Sequence, residues 1–233
     1  MTQNWNVIWN RRSVCVGAGK RLHLDDLIKL DGFDTGAGRI EASDWRIYAD
    51  LIAQKLRIYN GATVFEVGCG SGALLYALQQ KHSLTVGGID YATGLIATAI
   101  RAMPEGEFKV LEAKHMETEP QYDYVIANSV FHYFNLDYAS GVMARMIKKA
   151  RNAVAIMEVP DLKTKMESEE MRRNMLTQEE YDIKYAGLEH TYYARDWFKD
   201  QAKYHGLECE LFDGCIPNYA QNKFCFGVIL RIN

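Results

Sequence analysis

The segment that most clearly suggests chemistry is residues 64–75, with the sequence VFEVGCGSGALL. A short β-rich run leads into three glycines, Gly68, Gly70 and Gly72, and a helix-forming run follows at once. Glycine permits a positive φ and a close backbone approach, so this glycine loop can pass tightly over a ligand. The start of the helix offers free N–H groups, which suit a phosphate or a carboxylate.

The spacing of the glycines does not by itself identify the ligand. Gly68, Gly70 and Ala73 also satisfy the G-x-G-x-x-[GA] fingerprint of dinucleotide-binding proteins. Glu66, just before the loop, favours a different ligand, because its carboxylate repels a pyrophosphate and accepts hydrogen bonds from an ammonium group. Asp90 ends the next predicted strand, about 20 residues on, where it can accept hydrogen bonds from two ribose hydroxyls. A turn or a helix cap is the alternative role for Asp90.

The elements that position these residues alternate along the chain. Helices are predicted at residues 43–56, 71–80, 92–102, 138–150 and 197–205, the first capped by Ser43 or Asp44. Strands are predicted at residues 63–67, 84–89, 108–111, 124–127, 153–159, 207–212 and 224–231. This alternation favours an α/β fold of the Rossmann-like type, with a seven-stranded, mostly parallel sheet and helices on both faces.

A single domain is predicted, with four consecutive parts. Residues 1–44 form an N-terminal cap segment and residues 45–160 form the core that binds the cofactor. Residues 161–195 are charged and rich in Met and Tyr, and they interrupt the alternation as a helical, lid-like insertion. Residues 196–233 supply a closing helix and strands.

Composition restricts the partners and the compartment. The 233 residues carry a formal net charge of −3 and have no strongly basic block, so neither nucleic acid nor an anionic membrane surface is expected as a partner. The N-terminus lacks the apolar run of a signal peptide, and no stretch approaches the roughly 18 apolar residues of a membrane span. The 5 cysteines form no CxxC pair, so we expect reduced thiols, a cytoplasmic protein and no metal site. The oligomeric state does not follow from the sequence.

The glycine loop and several motifs further along the chain resemble those of class I S-adenosylmethionine-dependent methyltransferases. The pattern E-x-G-x-G-x-G, with an acidic residue ending the second strand, is similar to that family's signature. The similarity continues in LEA at residues 111–113, YDYVIANSVFHY at 122–133 and AIMEVPD at 155–161. The resemblance implies an enzyme that binds S-adenosylmethionine, releases S-adenosylhomocysteine, and methylates an oxygen or a nitrogen of a small-molecule acceptor.

The resemblance also implies roles for residues around the cofactor. The glycine loop would carry the methionine moiety with Glu66 beneath it, Asp90 would hold the ribose, and Tyr91 would cover the adenine. The remaining contacts are expected from Glu112, which would accept from the adenine amino group, Ala113, which leaves room for the ring, and Asn128, which contributes backbone contacts near the methionine end.

The acceptor side of the site is expected after the fourth strand. Methyl transfer is an in-line displacement in which the protein mainly aligns the nucleophile, and a general base helps when that nucleophile is protonated. His132 is the candidate base because its pKa is near neutrality, with bracing of its loop as the alternative; His190 is the second candidate. Aromatic residues would form the acceptor walls: Trp5, Trp9, Tyr133, Tyr192 and Tyr193. Packing of Tyr192 at a helix entry and stapling of the N-terminus by the tryptophans are the alternatives.

Two other functions stay open at this point. An NAD(P)-dependent oxidoreductase could use the same glycine loop, and a non-catalytic scaffold could retain the fold alone. A cofactor-binding assay separates the first from a methyltransferase. The presence of Glu66, Gly68, Gly70 and Asp90 argues against a scaffold, which has no need of those groups.

Overall fold

The computed structural model describes residues 8–10, 22–33, 40–174, 177–180 and 190–232. Its centre is a seven-stranded sheet in the order β3-β2-β1-β4-β5-β7-β6. The strands are β1 (Thr63–Val67), β2 (Thr85–Asp90), β3 (Glu107–Val110), β4 (Tyr122–Asn128), β5 (Ala150–Pro160), β6 (Glu208–Asp213) and β7 (Cys225–Arg231). The first five strands pair in parallel, whereas β7 runs antiparallel to both β5 and β6.

Helices cover both faces of this sheet. They are α1 (Leu24–Leu30), α2 (Ala42–Leu56), α3 (Ala73–Gln79), α4 (Thr93–Ala102), α5 (Leu136–Lys149), α6 (Lys165–Asn174) and α7 (Arg195–His205). One apolar cluster packs α1 to α4 against one face, and a second packs α5 and α7 against the other. The predicted fold class, a Rossmann-like α/β domain with a mostly parallel sheet, is therefore confirmed.

The central strands are buried on both faces because their side chains alternate between the two apolar clusters. In β1, Val64 points to the first cluster and Phe65 to the second, and in β4 Ile126 and Val125 do the same. Both strands consequently read as nearly continuous apolar runs, as strands covered by helices on both sides do. This is the sequence pattern from which they were predicted.

One boundary that the sequence misplaced is the start of α2. The predicted cap at Ser43 or Asp44 is wrong, because the helix begins at Ala42 with Glu41 as its N-cap. Asp44 instead lies at the third helical position, where its carboxylate accepts from the backbone N–H of Glu41 at 3.0 Å. Such reciprocal capping satisfies N–H groups that have no partner inside the helix.

The strand order creates a cleft at one edge of the sheet. From β1 the chain first builds β2 and β3 to one side, and then crosses to β4 and β5 on the other. In open α/β sheets ligands bind outside the carboxyl ends of the strands at such a reversal. The glycine loop after β1, Asp90 at the end of β2 and Asn128 at the end of β4 all lie at this edge.

Tyr193 anchors the segment before α7 to the loop that follows β4. Its side chain is fully buried, and its hydroxyl donates to the backbone oxygens of Phe131 and Phe134, at 2.9 and 2.7 Å. The backbone N–H of Thr191 donates to the oxygen of His132 at 2.9 Å. The shape of the loop that carries His132 thus depends on a segment about 60 residues further along the chain.

We expect Tyr193→Phe to lower the free energy of unfolding by about 1–3 kcal/mol, because two buried carbonyls lose their donor while the ring stays packed. Urea denaturation measures the change, and Tyr204→Phe is the matched control, since Tyr204 is 81% exposed. Equal denaturation midpoints for the two variants would contradict the anchoring role.

Candidate active site

A cavity of about 350 Å³ lies at the carboxyl ends of β1, β2, β4 and β5. Its volume falls in the range of sites that bind small molecules. The residues predicted from sequence that line it are Trp9, Glu66, Gly68, Gly70, Asp90, Tyr91, Ala113, Asn128, His132, Tyr133 and His190. The structure therefore brings most of the predicted site into one space.

Four predicted site residues lie outside the cavity lining. A Cβ at Gly72 would meet the side chain of Met103, so this glycine faces the packing beneath the loop. The carboxylate of Glu112 accepts from the hydroxyl of Tyr138 at 3.3 Å. The two remaining residues are Tyr192, which is buried with its hydroxyl 3.4 Å from that of Ser168, and Tyr193, whose hydroxyl is engaged in the core. Trp5 lies outside the described residues.

The prediction that Tyr192 and Tyr193 contact the acceptor is corrected by this placement. Both rings are buried, at 9% and 0% exposure, because the segment that carries them packs inward to hold the loop after β4. The alternative considered for Tyr192, packing at the entry to a helix, agrees with its position just before α7.

The glycine loop needs its glycines for two reasons. Gly68, Gly70 and Gly72 all have positive φ, at 69°, 55° and 85°, a region that L side chains rarely adopt. At Gly70 a Cβ would also fall on the carboxylate of Asp31. The loop is consequently held tightly between the sheet and the residue that follows α1.

Asp31 is a site residue that the sequence analysis missed. Its carboxylate accepts from the backbone N–H groups of Ser71 and Ala73, at 2.6 and 3.2 Å. These are N–H groups at the helix start that the sequence assigned to a ligand. Asp31 lies in a turn-rich stretch without a motif, and only the tertiary structure brings it to the loop, 40 residues away in the chain.

Asp31, Glu66 and Asp90 form a carboxylate cluster around the glycine loop. Burial raises the pKa of Asp31 to about 7 despite its two backbone hydrogen bonds. Burial, with the neighbouring carboxylates of Asp31 and Asp90, raises the pKa of Glu66 well above its ordinary value. Its Oε2 is buried and has no hydrogen-bond partner within the described part of the chain. This environment favours a cationic or hydrogen-bond-donating ligand group and opposes a pyrophosphate.

Asp90 combines the two roles that the sequence left open. Its Oδ1 accepts from the N–H of Ala92 at 2.8 Å, which is the turn role, and its Oδ2 accepts from the N–H of Gly70 at 3.1 Å. Its carboxylate also faces the cavity. Burial raises the pKa of Asp90, while these hydrogen bonds oppose the rise. Contact with a ribose stays a prediction.

Two imidazoles form the wall beyond β4. The rings of His132 and His190 lie 4.6 Å apart, and the ring of Tyr133 lies 3.9 Å from that of His132. Burial, with repulsion from Arg172, lowers the pKa of His190 to about 3. Burial, with His190 and Arg172, lowers the pKa of His132 well below its ordinary value. Both imidazoles are therefore neutral at physiological pH.

Glu158 is a second cavity residue that the sequence analysis missed. It is a non-glycine residue at φ 55°, it is 5% exposed, and it lies where the pairing of β5 with β7 shifts register. Burial raises its pKa to about 7. An available signal was the isolated acidic residue in the apolar run AIMEVPD, where a strand interior offers no water to solvate a charge.

The described residues lack two further kinds of feature. They contain no group of three or more His, Cys, Asp or Glu residues that could hold a metal ion. No helix among them has the length and apolar character needed to cross a bilayer.

Comparison with known proteins identifies the domain. Residues 65–155 match a family model described as a methyltransferase domain. A segment of 75 residues is 29% identical to malonyl-[acyl-carrier protein] O-methyltransferase of Priestia megaterium (strain DSM 319 / IMG 1521). The match covers 31% of this chain and 27% of that protein, so it spans about a quarter of the length of the curated relative.

Solved structures share the fold over much more of the chain. Magnesium protoporphyrin IX methyltransferase from Synechocystis PCC 6803, solved with bound SAH, superposes with a TM-score of 0.63 at 13% identity, covering 99% of this chain and 95% of its own. The SAM-bound amino pentose methyltransferase CalS10 from Micromonospora echinaspora gives 0.60 at 12% identity, with coverages of 81% and 92%. Residues 65–155 therefore match a methyltransferase domain, and the chain shares the fold of these methyltransferase structures, in agreement with the resemblance of its motifs.

We expect Gly70→Ala to lower the free energy of unfolding by about 1–3 kcal/mol, because its methyl group meets the Asp31 carboxylate at an unfavourable φ. Gly141→Ala in α5 is the matched control, since a Cβ there meets nothing within 4 Å and alanine favours the helix. Thermal unfolding compares the two variants, and an equally stable Gly70→Ala protein would contradict the tight packing of the loop.

The raised pKa of Asp31 predicts a pH-dependent contribution to stability. A carboxyl whose folded pKa lies above its unfolded pKa contributes stability at low pH and loses it as pH rises from about 4 to about 7. The difference in unfolding free energy between the native protein and Asp31→Asn should therefore fall by up to about 1.4 kcal/mol per pH unit between pH 5 and 7. The same difference for Asp200→Asn, an exposed site, should stay flat. A difference in unfolding free energy that does not change with pH for Asp31→Asn would contradict the raised pKa of Asp31.

Proposed function

We propose that this protein transfers the methyl group of S-adenosylmethionine to an oxygen or a nitrogen of a small-molecule acceptor. The observation that carries the proposal is the carboxylate cluster around the glycine loop. Its negative potential suits the ammonium group of a methionine moiety, and the Oε2 of Glu66, which has no hydrogen-bond partner among the described residues, offers that group an acceptor. The methyl donor supplies an activated methyl group when it is bound.

Residues along the cavity can accommodate the rest of the donor. We assign the ribose to Asp90, at the end of β2, and the adenine to Tyr91 and Ala113, which line the cavity beyond it. Glu112 lies beside this region with its carboxylate on Tyr138, so its contact with the adenine amino group requires that it exchange partners. Asn128, whose Oδ1 accepts from the hydroxyl of Tyr48 at 2.7 Å, would face the methionine end.

The opposite wall suits a small acceptor. Trp9 and Tyr133 meet edge to face with ring centroids 6.3 Å apart, and the neutral His132 and His190 lie next to them. We assign these four residues to acceptor contact. Ser168 and Arg172 of α6 also line the cavity, which supports a lid role for the insertion at residues 161–195.

The named neighbours support acceptors of this general kind, since one carries the name of a magnesium protoporphyrin IX methyltransferase and another that of an amino pentose methyltransferase. The free cysteines among the described residues fit a cytoplasmic enzyme.

The two competing functions fit the site less well. The phosphates of NAD(P) would meet three carboxylates, and Asp31 already occupies the N–H groups that a pyrophosphate would use. A non-catalytic scaffold would gain nothing from buried carboxylates without cationic partners, because such groups destabilise the fold.

Calorimetry tests the proposal directly. The native protein should bind S-adenosylhomocysteine with micromolar affinity, about −7 to −8 kcal/mol, and should not bind NADH. Asp90→Asn should weaken that binding by about 1–3 kcal/mol because the ribose hydroxyls lose a charged acceptor, whereas Asp200→Asn should leave it unchanged. Tight NADH binding without S-adenosylhomocysteine binding would establish the oxidoreductase instead. An unchanged affinity of Asp90→Asn for S-adenosylhomocysteine would show that Asp90 only stabilises the turn after β2.

A further inference from the structure

We propose that Glu158 takes the proton from the acceptor's nucleophile, so that the reacting group is a hydroxyl, a phenol or an amine rather than a carboxylate. This inference rests on the proposed function and adds to it both a catalytic residue and an acceptor class.

Glu158 lies one residue beyond the level at which β4 ends. In the parallel pairing of β4 with β5, Asn128 is opposite Met157, and the N–H of Ser129 donates to the oxygen of Met157 at 3.0 Å. Adjacent strands are about 4.8 Å apart. The backbone of Glu158 is thus next to the end of β4, where Asn128 is assigned to the methionine end of the donor.

The backbone of Glu158 is unusual in a way that concerns the cavity. A φ of 55° is costly for a residue with a side chain, and such conformations cluster at functional sites. The register of β5 against β7 shifts between Ile156 and Val159, which is the local irregularity that re-aims a side chain next to an active site. Glu158 lines the cavity although the residue is 5% exposed.

The surroundings of the Glu158 carboxyl contain weak acids and no close cation. The Cys225 thiol of β7 donates to it. The negative charge of Glu158 raises the pKa values of three neighbouring groups. They are Tyr48 of α2, and Cys215 and Tyr219 from the segment before β7. Among the described residues, no Lys or Arg nitrogen lies within 4.0 Å of this carboxylate.

Arg172 is the cavity's cation within the described residues, and it faces other groups. It lowers the pKa values of Cys225 and Tyr219, both of which it approaches from α6, and those of His132 and His190. Burial raises the pKa of Glu158 to about 7, while the hydrogen bond from the Cys225 thiol opposes the rise. A carboxylate with that pKa is matched to proton transfer at physiological pH.

Glu158 is better suited to this task than His132. Taking up a proton would create a buried imidazolium beside His190 and Arg172, and the pKa of His132 is lowered well below its ordinary value for that reason. Proton uptake by Glu158 removes a buried charge instead. We therefore assign His132 to acceptor contact as a neutral hydrogen-bonding group.

The proposed step is balanced without a further reactant. The electron pair of the acceptor's oxygen or nitrogen forms the bond to the methyl carbon, and the carbon–sulfur bond breaks with its pair retained on sulfur. The acceptor's proton passes to a carboxylate oxygen of Glu158, which later releases it to solvent. A carboxylate acceptor carries no proton to remove, and an ionised Glu158 would repel it.

The test uses the full chain, S-adenosylmethionine labelled in its methyl group, and a panel of phenols, alcohols, primary amines and carboxylic acids. Label should pass to a protonated acceptor, with kcat/KM rising with pH through about 7, because the base acts when deprotonated. E158Q should lose about 10²–10⁴-fold in kcat and the pH-dependent limb, while its affinity for S-adenosylhomocysteine stays unchanged. Glu208→Gln, an exposed site on β6, is the control and should match the native protein.

Each other outcome has a definite meaning. Transfer to a carboxylic acid, or an E158Q variant within threefold of native kcat, overturns the role of Glu158 and leaves the proposed function intact. A native protein that binds neither S-adenosylmethionine nor its product refutes the proposed function itself.

A readout that needs no turnover covers the case in which no panel member reacts. Carboxyl ¹³C NMR of glutamate-labelled protein, saturated with S-adenosylhomocysteine, should show one resonance that titrates near pH 7 and is missing in E158Q. A Glu158 midpoint below pH 5 overturns the inference.

Discussion

The burial of negative charge around the glycine loop is the constraint on which the rest of the site depends. Asp31, Glu66 and Asp90 approach one another where water is largely excluded, and backbone N–H groups donate to Asp31 and Asp90. Isolated buried carboxylates are costly, so the protein holds them by donors that cannot move. Three of those donors, the N–H groups of Gly70, Ser71 and Ala73, come from the loop and the helix start that follows it, where the glycines adopt conformations closed to other residues. A ligand that brings a cationic group relieves this cost.

The geometry of the sheet determines where that charge is presented. Reversal of the strand order between β1 and β4 opens a cleft at the carboxyl ends, and helices on both faces bury everything else. Two residues from outside the alternating strands and helices stabilise the loops of the cleft. Asp31, at the end of α1, accepts from the loop after β1, and Tyr193, before α7, donates to the loop after β4. Parts of the chain that are distant in sequence therefore determine the shapes of the loops that follow β1 and β4.

The two ends of the cavity differ in electrostatic character. The end near β1 and β2 contains three acidic groups, whereas the wall after β4 contains two imidazoles kept neutral by burial and by Arg172. Glu158 of β5 adds a carboxyl whose pKa burial raises to about 7. This distribution of charge along the cavity suits two ligands, a positively charged methyl donor and an acceptor with a removable proton.

The sequence by itself determined what depends on local pattern. The alternation of apolar runs predicted the seven strands and the parallel sheet, and the spacing of Glu66, Gly68, Gly70 and Asp90 predicted one site at the strand ends. Both follow because strand and helix periodicities are short-range, and because carboxyl ends of parallel strands meet at one edge.

Only the tertiary structure decided the contacts that complete the site. Asp31 and Ser71 are 40 residues apart, Tyr193 and Phe131 are 62 apart, and no local pattern records either pairing. Glu158 lies at a register shift of β5 against β7, and the neutrality of His132 depends on burial, His190 and Arg172. Side-chain direction and desolvation are properties of packing, so they appear only when the whole chain has folded.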